Sequence, residues 1–85
     1  MTYHISIDPA AVRELKKLPA KVRQALASAI DALADDPRPD GARKLSGSRS
    51  SYRIRVGDYR VLYRITDKEL LILVVKVAHR RDVYR

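Results

Sequence analysis

Apolar positions along this chain switch between two periods, and each switch marks an element boundary. Tyr3, Ile5 and Ile7 alternate with His4 and Ser6, the period of a strand with one buried face. Asp8-Pro9 then offers an N-cap followed by a first-turn proline, and Val12, Leu15 and Leu18 mark one face of a short helix that Pro19 ends. A second helix is predicted over about 20–34, where Val22, Leu26, Ile30 and Leu33 recur at helical spacing among alanines and Asp35-Asp36-Pro37 stops the run. So short a link predicts an antiparallel αα-hairpin. Residues 36–51, rich in Pro, Gly and Ser, read as a loop with Leu45 as its one large apolar anchor. Strands are predicted at 51–56, 59–66 and 69–78. The fold class is α+β in a single domain, 1–85: an N-terminal strand, a helix pair, then a three-stranded antiparallel meander with the helices on one face.

Gly57-Asp58 is a two-residue turn with glycine where φ must be positive, and it sets the register of the first hairpin. Val56 then faces Tyr59, Arg55 faces Arg60, Ile54 faces Val61, Arg53 faces Leu62 and Tyr52 faces Tyr63. Alternation tests that register, because it must gather the apolar set on one side. Tyr52, Ile54, Val56, Tyr59, Val61 and Tyr63 form that side, against the helices, while Arg53, Arg55, Arg60 and Arg64 project from the other. Arg55 opposite Arg60 costs about 0.2–1 kcal/mol, which points to an anion between them. The next strand, Leu70 to Val77, is apolar on both faces. A turn at Asp67-Lys68 brings Leu73 opposite Leu62 and Val75 opposite Arg60. Leu62, Leu73 and Val75 thus form an apolar strip beside the arginines, to be covered by the tail 79–85 or by another chain, with a partner protein the favoured cover.

Charge sharpens the picture. Residues 1–42 carry six Lys/Arg and six acids, whereas residues 43–85 carry twelve Lys/Arg against Asp58, Asp67, Glu69 and Asp82, so the entire net charge of +8 belongs to the second half. Solubility does not require such segregation, and a one-signed field on half of a small domain attracts nucleic acid. The absence of cysteine excludes disulfides and thiolate metal sites. With only His4 and His79 as imidazoles and no clustered acids, no metal and no cofactor are expected. No apolar run reaches membrane-spanning length, and no secretory leader is evident, so the expectation is a soluble, cytoplasmic protein without membrane contact.

Three basic stretches in this order, Arg43-Lys44-Leu45-Ser46-Gly47, Tyr52-Arg53-Ile54-Arg55-Val56-Gly57-Asp58-Tyr59-Arg60-Val61-Leu62-Tyr63 and His79-Arg80-Arg81-Asp82-Val83-Tyr84-Arg85, make the whole chain resemble the RelE family of toxin–antitoxin systems. The resemblance implies a RelE-like fold and a metal-independent endoribonuclease that cuts messenger RNA in the ribosomal A site, inhibits translation, and is silenced by a cognate acidic antitoxin. It implies a toxin–antitoxin hetero-oligomer able to bind operator DNA through the antitoxin. Attack of a ribose 2′-OH on the adjacent phosphate needs a proton acceptor, a proton donor for the leaving oxygen, and donors for the charge gathering on phosphorus. Guanidinium forks serve the last role and, always charged, serve the first two poorly.

Arg55, Arg60 and Arg80 are accordingly the candidates for stabilising the transition state, with Lys44, Arg53 and Arg81 as further RNA contacts. Family members often carry lysines where Arg53 and Arg55 stand, so proton transfer is not accounted for by those positions here. His79 is the remaining candidate base or acid, and Tyr84 matches the family's near-terminal aromatic, implied to stack on a base. The antitoxin is expected on Leu62, Leu73 and Val75 and the charged face. Two other readings stay open: a ParE-like inhibitor of DNA gyrase that cuts no RNA, and a catalytically silent member kept as a partner-binding module.

Overall fold

The computed structural model describes residues 2–83, which form a five-stranded mixed sheet with two helices on one face. The strands are β1 (His4–Ile7), β2 (Arg43–Lys44), β3 (Ser51–Val56), β4 (Tyr59–Thr66) and β5 (Leu71–His79), ordered β1-β5-β4-β3-β2 across the sheet. The helices are α1 (Pro9–Lys16), α2 (Ala20–Ala32) and a single turn, α3 (Arg80–Val83), at the end of β5. β1 runs parallel to β5, with Ile5 opposite Ile72 and Ile7 opposite Val74; the other pairings are antiparallel. No helix among the described residues is long and apolar enough to cross a membrane.

Local chemistry explains the elements. The Asp8 carboxylate accepts the Ala10 N–H at 2.9 Å, capping α1 with Pro9 in its first turn. Leu26 and Ile30 of α2, with Leu33 at its C-terminal cap, present one stripe to the sheet, where Ile54, Val61, Tyr63, Ile65, Ile72, Val74 and Val77 close the core with Ala11 of α1. Burying each of the larger aliphatic side chains contributes about 1.5–3 kcal/mol.

The first hairpin pairs as expected, from Val56 opposite Tyr59 to Tyr52 opposite Tyr63. The second does not. Asp67–Glu69 forms a 3₁₀ turn closed by Leu70 at φ 51°, so β5 starts later: Leu73 stands opposite Arg64, not Leu62. Farther along, the register slips once more, Leu62 facing Lys76 while Tyr63 faces Val74, which leaves Val75 as the extra residue of a bulge. Arg60 consequently faces Ala78, not Val75. The bulge resolves a conflict of alternation: it lets Val74 and Val77 both lie in the core while Lys76 stays exposed.

Candidate nucleic-acid interface

Three segments meet at the tip of the β3–β4 hairpin. Gly57, at φ 60°, makes the turn, and Arg55 and Arg60 leave its two strands as direct cross-strand partners. The Arg80 N–H donates to the Asp58 carbonyl at 2.7 Å, which ties the start of α3 to the same turn. The result is a cleft of about 350 Å³ lined by Arg55, Arg60, Arg80 and Arg81, together with Gly57, Asp58 and Tyr59. Arg60 is only 5% exposed, while Arg55, Arg80 and Arg81 reach solvent. Among the described residues the carboxylate lining this cleft is Asp58, which lies 4.0 Å from Arg80 Nε with both side chains about two-thirds exposed, a weak restraint. The exposed Arg55, Arg80 and Arg81 therefore present positive charge to an anion entering the cleft.

Arg55 also lines a second groove, of about 490 Å³, which runs beside β3 past Arg53 and Arg43 to α2. Arg43 faces Arg53 across β2 and β3, whereas Lys44 faces Tyr52, whose ring lies on the helix side. Cross-strand partners share a face, so the arginine face is extended by Arg43. Lys44, the expected RNA contact, is exposed on the edge strand but belongs to the other phase. The loop appeared structureless in the sequence because β2 is two residues long.

His79 does not join the arginines. It pairs with Tyr59 on the helix side, its ring edge-on to the tyrosine at 5.2 Å, and lines a separate cleft with Glu14 and Leu18. Its Nδ1 accepts the Arg81 N–H at 3.2 Å. Tyr84, the expected stacking residue, lies outside the described residues. Leu62 and Leu73 are half-buried on the open face, whereas Val75 sits at the bulge and lines a cleft beside α1 with Ala10, Ala11 and Glu14. The apolar strip is thus shorter than expected.

The far end of the sheet carries an interaction network that sequence reasoning missed. Arg38 grips Asp67 with both terminal nitrogens, at 2.9 and 3.4 Å, donates from Nε to the Tyr52 hydroxyl at 3.2 Å, and lies over that ring at 5.1 Å. Tyr3 donates to the same carboxylate at 2.6 Å, and the buried Tyr63 donates to the Pro37 carbonyl at 2.7 Å. Hydrogen bonds from Arg38, then Tyr3, hold Asp67 below the usual carboxylate range. The Tyr3 phenol is raised chiefly by its bond to Asp67, and burial pushes Tyr63 up to about 12. This network fastens the 36–42 loop, and through it Arg43, to the sheet.

Comparison with known proteins agrees with this architecture. The family described as "ParE toxin of type II toxin-antitoxin system, parDE" matches residues 5–84. Toxin RelG of Mycobacterium tuberculosis is 36% identical over 89 residues, spanning 100% of this chain and 99% of the relative. The mRNA interferase toxin RelE of Escherichia coli is 31% identical over 88 residues, spanning 99% and 92%. Among solved structures, the archaeal RelE–RelB complex of Pyrococcus horikoshii matches with a TM-score of 0.84 and 33% identity, covering 94% of this chain and 97% of that one. With sequence and fold in agreement over nearly its whole length, this chain belongs to the RelE/ParE family and is a toxin of a type II toxin–antitoxin system.

Proposed function

We propose that this toxin is a ribosome-dependent endoribonuclease that cleaves messenger RNA in the A site, and that the cleft at the hairpin tip receives the scissile phosphate. The observation that carries this reading is the meeting of Arg55, Arg60, Arg80 and Arg81 at one cleft. As the 2′-OH adds to phosphorus, charge grows on the non-bridging oxygens, and guanidinium forks fixed beforehand stabilise it without reorganising. Arg60, nearly buried, is the most firmly placed of the set. Each such donor is worth about 10²–10³ in rate. The arginines do not move protons; they supply charge and position. The name of the E. coli relative, an mRNA interferase, supports RNA as the substrate.

An antitoxin that covers this face would need acidic residues for the arginines and apolar ones for Leu62 and Leu73. RelE–RelB complexes among the similar structures support such a partner. The test is to add purified toxin to a translating extract and map messenger ends. Cleavage by the native protein is expected, with loss of at least two orders of magnitude in Arg60→Ala and Arg80→Ala variants that still fold and bind antitoxin. Unchanged cleavage in both would refute the assignment. An intact messenger, with supercoiled DNA trapped on gyrase, would establish the ParE-like activity in its place.

A further inference from the structure

His79 stands next to the cleft in sequence yet on the other side of the sheet, and what it touches there assigns it a different task. The bulge at Val75 turns the end of β5 over, so that Ala78 faces Arg60 while His79 faces Tyr59. The ring is held edge-on by Tyr59, with Glu14 and Leu18 lining the same recess. From this position Nδ1 accepts the N–H of Arg81, two residues on, at 3.2 Å. That is the bond an N-cap side chain makes to the second residue of a helix.

We propose that His79 is a positioning residue: it caps α3 and so holds Arg80 and Arg81 in the cleft, and it takes no part in proton transfer. A four-residue helix does not stabilise itself, because nucleation is not repaid over so short a length. Its placement depends on what its first N–H groups bond to. The Arg80 N–H bonds to the Asp58 carbonyl at 2.7 Å and the Arg81 N–H to His79, so the hairpin turn and the imidazole together set the helix. Both residues so held line the arginine cleft. An imidazole that accepts at Nδ1 carries its proton on Nε2, and a doubly protonated ring cannot make this bond. Since successive strand residues point to opposite faces, the ring of His79 is separated by the sheet from the guanidiniums of Arg55 and Arg60.

The inference rests on the nuclease reading for its activity readout, and on backbone protection independently of it. Asparagine is a preferred cap whose amide oxygen can replace Nδ1, but it does not transfer protons at neutral pH. In full-length toxin, His79→Asn is expected to keep messenger cleavage within about threefold of native, whereas His79→Ala loses roughly two- to thirtyfold, the equivalent of a lost cap. Hydrogen exchange at the Arg81 amide should be slow in the native protein and in His79→Asn, and fast in His79→Ala. A folded His79→Asn as inactive as His79→Ala would overturn the proposal in favour of proton transfer. Equal Arg81 protection in native and His79→Ala would also overturn it. If His79→Ala does not fold, native against His79→Asn decides alone. A native toxin that cleaves nothing but shows this protection pattern would defeat the nuclease reading while upholding the cap.

Discussion

Replacing Arg55 by glutamine should move stability and activity in opposite directions. Arg55 and Arg60 are direct cross-strand partners, one exposed and one buried, so their charges repel across a single rung of the ladder. Relieving a like-charge pair in that position returns about 0.2–1 kcal/mol. For a domain of this size 1 kcal/mol corresponds to about 4–8 °C, so Arg55→Gln should melt roughly 1–8 °C higher at low salt. At 1 M salt the Debye length falls to about 3 Å, and most of that gain should vanish. Glutamine keeps the first three side-chain carbons and a polar end while removing the guanidinium, so the salt dependence of the gain identifies the part due to charge.

The same substitution removes a donor from the cleft. Cleavage should fall about 10²–10³-fold if Arg55 acts on the transition state. Binding to a single-stranded RNA reports the ground state: each neutralised phosphate contributes about −0.7 to the slope of log K against log salt. Four arginine contacts would give a native slope of about −2.8, made shallower by about 0.7 in the variant. Melting curves at two salt concentrations, a binding titration and a cleavage assay in extract measure all three quantities. A variant that melts no higher than native, or that cleaves at the native rate, would refute the claim that the sheet carries this repulsion for the sake of an anion.

The remaining predictions concern the supports of that cleft. Tyr63→Phe should lower stability by about 0.5–1.5 kcal/mol, read as a shift in urea midpoint at constant slope, because the lost hydroxyl leaves the Pro37 carbonyl without its 2.7 Å partner. Folding raises the Tyr63 phenol to about 12, so its contribution is whole below pH 10 and drains as pH rises from 10 to 12. Alkaline melts should lose on the order of 2 kcal/mol from this group, and Tyr63→Phe should lack that loss. Asp67 titrates in the opposite sense: its pKa is lowered on folding, so its contribution is present above the ordinary carboxylate range and lost as pH falls through the lowered value. Asp67→Asn should flatten the acid limb of the stability curve. Finally, Arg43→Ala should weaken RNA binding and make its salt slope shallower by about 0.7, while Lys44→Ala leaves both near native, a contrast that titration of the two variants against one oligonucleotide would reveal.

How much of this could be read from the chain depended on whether each turn leaves a chemical mark. Gly57-Asp58 does, because a two-residue turn with positive φ demands glycine; the first register, and with it the pairing of Arg55 and Arg60, was therefore legible. The second turn leaves none: Leu70 takes a positive φ that nothing about leucine announces. The bulge in β5 is equally silent, since a run of Leu, Ile and Val has no alternation whose interruption could be noticed. That one inserted residue decides the face of His79 and detaches Val75 from Leu62. The bond between Arg38 and Asp67 joins residues far apart in sequence, and no local pattern predicts it.

The two ends of β4 show why the arginines at the hairpin tip are more than surface charge. At one end Arg38 is matched by a carboxylate at 2.9 Å, and a phenol satisfies the same acid, so the group is fully used in holding the loop. At the other end Arg55, Arg60, Arg80 and Arg81 share a cleft whose lining carboxylate, among the described residues, is Asp58. Tyr59 and Thr66 bound this strand, about 24 Å apart at ~3.4 Å per residue, several Debye lengths at physiological salt. The Asp67 carboxylate therefore does not offset the charge of the guanidiniums at the hairpin tip. At the exposed Arg55, Arg80 and Arg81 the described residues supply just the weak contact between Arg80 and Asp58 at 4.0 Å, so on the proposed reading these guanidiniums are the ones placed to meet the phosphate of a bound RNA.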